Sequence, residues 1–250
     1  MSNAAVSINH LGFTYPGQSS SCFSNLSLMV QEGERFGLFG PNGAGKTTLM
    51  HCMTGLLPYQ QGNIQLLGYE IAHHKKSVNK LFGYVPQDFS FYQELSPAEN
   101  LAFFGAWAGL QKNEIKNKTT ELLEVLGLAD VRNKRVEQFS GGMKRRVNLA
   151  IGVMHNPRIL FLDEPTVGVD VHTRHAIINY LIKLNKEGGT TLIYTSHQLA
   201  EAEELCNKVA LIDDGRIIAH DTLQQLVTDH KEEGLEGLFI NLTGKSFRDS

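Results

Sequence analysis

Gly40-Pro-Asn-Gly-Ala-Gly-Lys-Thr-Thr48 is the stretch that decides the fold of this 250-residue chain. The apolar run Arg35-Phe-Gly-Leu-Phe39 precedes it and predicts a buried strand. Thr48-Leu-Met-His-Cys-Met-Thr54 follows it and predicts a helix that ends at Gly55. A glycine loop between a strand and a helix is the context in which G-x-x-x-x-G-K-[ST] binds phosphate. The sequence therefore predicts a nucleotide-binding loop at the centre of an α/β fold.

The chemistry of this loop follows from its residue types. Gly43 and Gly45 let the backbone curl, so that consecutive N–H groups point at phosphate oxygens, and the helix N-terminus adds partial positive charge. Lys46 supplies a full charge near the β and γ phosphates, and the Thr47 hydroxyl can ligate Mg²⁺. A plain glycine-rich turn is the alternative, but it requires a chance match in this context. The candidate nucleotide-binding residues here are Gly40, Asn42, Gly43, Ala44, Gly45, Lys46, Thr47 and Thr48.

Composition sets the outer limits. A chain of 250 residues can form one large domain or two small ones. Its net charge of -3 argues against a general polyanion binder. The three cysteines, Cys22, Cys52 and Cys206, have no metal or redox spacing, which indicates a reducing compartment. No run of 18 apolar residues occurs, so no membrane-spanning segment is expected.

The segments around the glycine loop predict two kinds of sheet. Residues 5–15 and 22–32 read as two strands around a polar turn, and residues 62–68 read as another strand. These strands predict an antiparallel β subdomain beside a mostly parallel P-loop core. Residues 96–128 predict helix, and the apolar stretch at 237–242 predicts a strand near the C-terminus.

Two further strands deliver polar side chains to their C-terminal ends. Asp163 and Glu164 end the apolar strand 158–163, and Gln87 follows a strand that stops at Pro86. Open α/β sheets bind ligands at this edge. Asp163 suits Mg²⁺, Glu164 suits a general base, and Gln87 can ligate Mg²⁺ or orient water.

His197 ends the β-rich strand 190–196 in the same way. It could hydrogen-bond a γ-phosphate or an attacking water. A capping or packing histidine is the alternative.

A second helix start comes at Phe139-Ser-Gly-Gly-Met-Lys-Arg-Arg146. Ser140 is a good N-cap, and Gly141 and Gly142 expose the first N–H groups, so this helix end is also fit to hold phosphate. The alternatives are a capped helix with a solvated basic face (Lys144, Arg145, Arg146) or a nucleic-acid patch, which three charges hardly support.

Aromatic residues at two places leave alternatives open. Tyr15 could stack on an adenine ring or pack on its sheet. Phe103, Phe104 and Trp107 favour core packing over a partner-facing surface, although aromatic residues do concentrate at interfaces.

The order and spacing of these motifs resemble an ATP-binding-cassette (ABC) nucleotide-binding domain over almost the whole chain. Ser140-Gly-Gly142 shortly before Asp163-Glu-Pro-Thr166 makes the resemblance specific. Phe139 and Met143 depart from the commoner Leu and Gln, and Val167-Gly-Val-Asp170 departs from Ser-Gly-Leu-Asp. These departures resemble the exporter branch of drug, antibiotic, polysaccharide and sodium extruders.

The resemblance implies roles for individual residues. Tyr15 is similar to the aromatic that stacks on adenine, Gln87 to the glutamine that contacts Mg²⁺ and couples to the membrane subunit, and Asp170 to the aspartate that communicates between sites. Glu164 resembles the catalytic base, and His197 the histidine that stabilises the transition state. Thr47, Gln87 and Asp163 would be the Mg²⁺ ligands.

The resemblance also implies an assembly. Two chains, as a homodimer or a heterodimer with a related cassette, would sandwich two ATP molecules head to tail, each phosphate loop facing the other chain's Ser140-Gly-Gly142. Residues 1–230 would form the nucleotide-binding domain with a helical subdomain at about 90–155, followed by an extension at 231–250. The dimer would lie in the cytoplasm on the inner face of the membrane, powering a separately encoded permease, with no nucleic acid bound.

Two rival functions remain. A soluble ABC ATPase acting on nucleic acid or ribosomes is one, but only about 95 residues without sustained heptads separate Lys46 from Ser140. A regulatory nucleotide-binding module that never turns over is the other, and intact Glu164 and His197 argue against it.

Overall fold

The computed structural model describes residues 3–230 and 234–244. Its strands are β1 (Ala4–Phe13), β2 (Phe23–Gln31), β3 (Arg35–Phe39), β4 (Gln61–Leu66), β5 (Tyr69–Glu70), β6 (Phe82–Val85), β7 (Ile159–Asp163), β8 (Thr191–Ser196), β9 (Lys208–Asp213) and β10 (Arg216–Thr222). Its α-helices are α1 (Lys46–Met53), α2 (Lys75–Val78), α3 (Pro97–Trp107), α4 (Lys112–Val125), α5 (Gly141–Val153), α6 (Val171–Gly188), α7 (Leu199–Leu205), α8 (Leu223–His230) and α9 (Leu235–Thr243).

The chain forms two compact units. The first combines Met1–Asn79 with Thr191–Ser250, and the second is Lys80–Thr190. The phosphate loop and His197 belong to the first unit, whereas Gln87, Glu164 and the Ser140 helix belong to the second.

One sheet of the first unit is antiparallel, with strand order β2-β1-β4-β5. Ile8 of β1 pairs with Leu28 of β2 on one side and with Ile64 of β4 on the other, and all three side chains are buried. Along β2, buried Leu26, Leu28 and Val30 alternate with exposed neighbours, which is the period of a sheet with one covered face. The antiparallel β subdomain predicted from the sequence is therefore present.

The phosphate loop of the first unit follows a parallel sheet. β3 lies between β8 and β9 and runs parallel to both, while β10 pairs antiparallel with β9. Phe36, Leu38 and Phe39 of β3 are fully buried, as a strand covered on both faces requires. Phe39 pairs with Ser196 of β8, so the residues after these two strands emerge at the same edge.

In the second unit, β6 and β7 are parallel, and Val85 pairs with Leu162. All five residues of β7 are buried. Helix α5 packs directly on β6, because the two backbones meet at glycines. A Cβ atom on Gly83 would overlap the carbonyl oxygen of Gly152.

The helical prediction for residues 96–128 needs one correction, since the segment contains two helices. Gly109 has φ +87°, which ends the first helix in a left-handed residue. The second helix begins with a capping box in which the Glu114 carboxylate accepts the Gln111 N–H at 2.7 Å. Helix α3 begins with a capping box formed by Ser96 and Glu99.

The strand predicted at 237–242 is wrong, because these residues lie in helix α9. Leu235, Leu238 and Phe239 are buried, and their spacing of three and four is that of one helix face. The polar end of the predicted tail lies outside the described residues. Among residues 3–230 and 234–244, no helix is both long and apolar enough to cross a bilayer.

Candidate functional site

The phosphate loop has the backbone that its glycines predicted. Gly43 and Gly45 have φ values of +83° and +106°, where residues with a Cβ are strained. The Lys46 side chain is only 6% exposed, and its ammonium donates to the carbonyl oxygens of Gly40 at 2.7 Å and Pro41 at 3.1 Å. Lys46 is thereby folded back over the loop.

Tyr15 lies beside the helix that follows the loop. Its hydroxyl is 2.8 Å from the hydroxyl of Thr48, and its ring meets Phe13 edge-on at 4.8 Å. The residue is half-buried, so one side of the ring packs on the sheet while the side chain stays tied to α1. Burial raises the pKa of the nearby Cys22 thiol, which keeps it neutral.

His197 directly follows β8, at the edge where the phosphate loop follows β3. Two hydrogen bonds fix the residues on either side of His197. The Ser196 hydroxyl accepts the backbone N–H of Gln198 at 2.9 Å, and the Tyr194 hydroxyl donates to the Glu201 carboxylate at 2.7 Å. Tyr194 and Glu201 are buried, so the segment carrying His197 is held from both sides.

In the second unit, the structure brings Gln87 and Glu164 together. The amide of Gln87 donates to a Glu164 carboxylate oxygen at 3.1 Å. Glu164 is 7% exposed and has φ +48°, a left-handed conformation that is uncommon for a residue with a Cβ and that clusters at functional sites.

Asp163, one residue earlier, is buried at the end of β7. The Tyr84 hydroxyl of the neighbouring strand hydrogen-bonds its carboxylate, and burial together with the Asp163 charge raises the pKa of Tyr84. Tyr84 is therefore a fixed donor that orients this carboxylate.

The second helix start is built as predicted. The Ser140 hydroxyl accepts the backbone N–H of Met143 at 3.3 Å, and this N-cap opens α5. A Cβ on Gly142 would lie 3.2 Å from the Thr173 side chain, so any larger residue would require Thr173 to shift by a few tenths of an ångström.

Asp170 caps the following helix α6. Its carboxylate accepts the Thr173 N–H at 2.9 Å and the Thr173 hydroxyl at 2.7 Å. These two bonds lower the pKa of Asp170.

Two residues of α5 contact the segment around Gln87, and this role was not predicted from the sequence. The basic face proposed there is wrong for Arg145, which is 8% exposed and contacts the segment around Gln87. Asn148, 1% exposed, binds the same segment. Arg145 and Asn148 share one face of α5 with the apolar residues Leu149 and Gly152, and this spacing is the sign in the sequence that the two polar residues are buried.

Four aromatic residues of the second unit are exposed. Trp107 is 83% exposed, Tyr92 47%, Phe103 43% and Phe89 37%. We call these four residues the aromatic surface. Tyr92 meets Phe103 edge-on at 5.0 Å. The core-packing interpretation of Phe103 and Trp107 is therefore wrong, because the apolar core of α3 lies on its other side, at Leu101.

The donor set suits Mg²⁺. In the second unit, Gln87 and Asp163 offer amide and carboxylate oxygens, and in the first unit Thr47 offers a hydroxyl oxygen; each is a ligand type that this ion prefers. Within the described part of the chain, no three His, Cys, Asp or Glu side chains are placed so that they could hold a metal ion by themselves. Mg²⁺ in ATPases takes one or two carboxylates and substrate phosphates, so these residues fit an ion that arrives with a nucleotide.

These features define an α/β P-loop nucleotide-binding domain that also contains a serine-capped helix start at Ser140. The family model for the ABC transporter matches residues 23–167. The chain belongs to this family and carries its ATPase domain, which confirms the family and the fold predicted from the sequence.

Known relatives agree with this assignment. The chain is 43% identical over 201 residues to the linearmycin resistance ATP-binding protein LnrL of Bacillus subtilis, covering 80% of this chain. It is 39% identical over 207 residues to the Nod factor export ATP-binding protein I of Rhizobium sp., covering 83% of this chain and 68% of that one. The match spans 64% of the length of the linearmycin protein.

Among solved structures, an ATP-binding subunit of an ABC transporter matches with a TM-score of 0.87. That match covers 96% of this chain and 99% of the other, at 27% identity.

Proposed function

We propose that this chain is the ATP-hydrolysing subunit of an ABC transporter and powers export through a separate membrane permease. The observation that carries hydrolysis is the buried Glu164 carboxylate, held by the Gln87 amide at 3.1 Å at the carboxyl edge of β6 and β7. Relatives named for linearmycin resistance and Nod factor export support export as the direction of transport. They favour a transporter over an ATPase that acts on nucleic acid or ribosomes.

In the proposed reaction, water attacks the γ-phosphate of ATP in line with the leaving oxygen. Glu164 orients the water and accepts its proton. Lys46 and His197 hydrogen-bond the phosphoryl oxygens as negative charge develops on them. Mg²⁺, held by Thr47, Gln87 and Asp163, would neutralise phosphate charge. Tyr15 stacks on the adenine ring, and its bond to Thr48 fixes the ring next to the loop.

A head-to-tail dimer follows from the two anion-binding helix starts. The phosphate loop binds the ATP of its own chain, and the capped helix at Ser140 offers free N–H groups to the γ-phosphate bound by a second chain. Ser140 is exposed, which this role requires. The dimer consists of two identical chains or of this chain and a related cassette. Residues 1–230 form the cassette and residues 231–250 an extension.

The permease docks, in this proposal, on the aromatic surface. Exposed aromatic patches are typical of interfaces, and Phe89 lies two residues after Gln87, so docking can be transmitted to the Glu164 carboxylate. The chain then lies in the cytoplasm on the inner face of the membrane.

The test is the solution mass of Glu164→Gln with and without Mg-ATP. Blocking hydrolysis traps the closed dimer, so we expect the mass to double with Mg-ATP. The double variant Glu164→Gln/Ser140→Arg should bind ATP but stay monomeric, because an arginine side chain blocks the composite site. Wild-type rates of hydrolysis in Glu164→Gln would contradict the catalytic role, and dimers that persist with Ser140→Arg would contradict the head-to-tail arrangement.

A further inference from the structure

Arg145 is a buried cation in the middle of the second unit. It lies on helix α5, five residues after Ser140, and is 8% exposed. One guanidinium N–H donates to the carbonyl oxygen of Gln87, and the guanidinium carbon lies 4.8 Å from the centroid of the Phe89 ring. A hydrogen bond and a cation–π contact therefore fix Arg145 to both sides of residue 88.

The charged groups around Arg145 include the proposed catalytic carboxylate of Glu164. Burial lowers the pKa of Arg145, while Asp88 and Glu164 oppose that shift. A guanidinium stays protonated at such a site, so its charge acts on both carboxylates. Its Nε atom has no hydrogen-bond acceptor within the described residues. The same is true of the Nε atoms of Arg146 and Arg174, so the hydrogen bond to Gln87 and the ring contact with Phe89 distinguish Arg145.

Asn148, one turn further along α5, holds the same segment from the same face. Its amide donates to the carbonyl oxygen of Pro86 at 3.1 Å, and its oxygen accepts the Ser90 hydroxyl at 3.3 Å. Side chains of α5 thus form hydrogen bonds with the chain at residues 86, 87 and 90. The path of this segment is set by α5.

From these contacts a continuous connection reaches Glu164. Arg145 holds the backbone of Gln87, and the side chain of Gln87 donates to the Glu164 carboxylate at 3.1 Å. The Phe89 ring on the other side of Arg145 belongs to the aromatic surface. Rotation of the Arg145 side chain would displace Gln87 and the ring together.

We infer that Arg145 is a positioning residue for ATP hydrolysis, which sets the place of Gln87 and thereby of Glu164, and that it links this pair to the aromatic surface. The inference rests on the proposed catalytic role of Glu164. Arg145 does not touch the substrate. Its effect is on the placement of the water-activating carboxylate.

The experiment compares Arg145→Lys with Arg146→Lys. Lysine keeps the charge but loses the planar fork and the ring contact. Arg146 is a matched control on the same helix, because its guanidinium also donates to carbonyl oxygens, those of Leu126 at 2.9 Å and Gly127 at 3.4 Å. Arg146 is half-buried, and it therefore reports what a carbonyl-bound arginine of α5 contributes without a link to Gln87.

We expect Arg145→Lys to lower kcat about 10- to 100-fold while the KM for ATP changes less than about threefold, since misplacement by an ångström costs rates of this order. Arg146→Lys should keep kcat within about threefold. Combining Arg145→Lys with Gln87→Ala should lower kcat little further than Gln87→Ala alone, because both act through the same bond. Additive losses would show that Arg145 acts elsewhere.

Hydrogen–deuterium exchange provides a readout that does not depend on turnover. Arg145→Lys should speed exchange in peptides covering residues 86–91, whereas Arg146→Lys should leave that peptide unchanged. Unchanged exchange in Arg145→Lys overturns the inference. Faster exchange with full kcat reduces Arg145 to a structural anchor and also overturns it. If wild-type protein hydrolyses no ATP, the proposed function fails together with the catalytic part of the inference, but the exchange result still identifies what holds the segment.

Discussion

The bond between Tyr194 and Glu201 should make a measurable contribution to stability. The hydroxyl and carboxylate are 2.7 Å apart, and the two residues are 0% and 1% exposed. Tyr194→Phe removes only the hydroxyl and keeps the ring, which packs near Phe39 at 6.4 Å. The change therefore isolates one buried bond without creating a large cavity.

The expected loss can be worked from this geometry. A hydrogen bond to a charged group contributes about 1.5–3 kcal/mol to the free energy of unfolding. In a chain of this size, 1 kcal/mol moves Tm by about 2–4 °C. Tyr194→Phe should therefore lower Tm by about 3–12 °C.

Thermal unfolding followed by circular dichroism measures this loss. Tyr180→Phe in α6 is the matched control. Tyr180 is half-buried, and its hydroxyl makes no hydrogen bond to the described residues. The control should unfold within about 2 °C of wild type. Equal Tm values for the Tyr194 and Tyr180 variants would refute the reasoning, because the buried bond would then add nothing to stability.

Three further outcomes are expected. Tyr15→Ala should weaken ATP binding about 5- to 150-fold, the value of one stacked base, whereas Tyr15→Phe should weaken it less than about fivefold; titration with a fluorescent ATP analogue measures both. Burial lowers the pKa of His155 and His220 in the folded chain, so below about pH 6.5 the unfolded chain binds protons first and stability falls. Urea unfolding at pH 7 and pH 5 should show this fall, and His155→Gln/His220→Gln should flatten it; an equal slope in the variant would contradict the assignment. Trp107→Asp should keep Tm within about 2 °C because the side chain is 83% exposed, yet abolish stimulation of ATPase activity by permease-containing membranes; undiminished stimulation would exclude Trp107 from docking.

The parts of the site that the sequence predicted are those governed by local backbone rules. Gly43 and Gly45 need positive φ, and Ser140 needs only its own helix end to act as a cap. Parallel strands bring Gln87 and Glu164 to one edge whatever the loops between them do. Such features are encoded within a few residues, so they can be read without knowledge of the packing.

Features set by tertiary packing could not be read in this way. The aromatic run of α3 is apolar on nearly all sides, so nothing in the sequence says that Leu101 is covered while Trp107 is exposed. Arg145 resembles a solvated charge until β6 and its following segment are placed against α5. In α9, neighbouring Leu238, Phe239 and Ile240 fit a strand as well as a helix, and only burial on one face decides between them.

The glycine contact between Gly83 and Gly152 has a mechanical consequence. At this contact the backbones of helix α5 and strand β6 meet without a side chain between them, so the two elements move together as one stiff unit. Helix α5 has 13 residues and at 1.5 Å per residue is about 20 Å long. Gly152 lies 11 residues from the N-terminal end of α5 at Gly141, an arm of about 16 Å, so a tilt of the unit by about 5° about this contact would displace that end by about 1.4 Å.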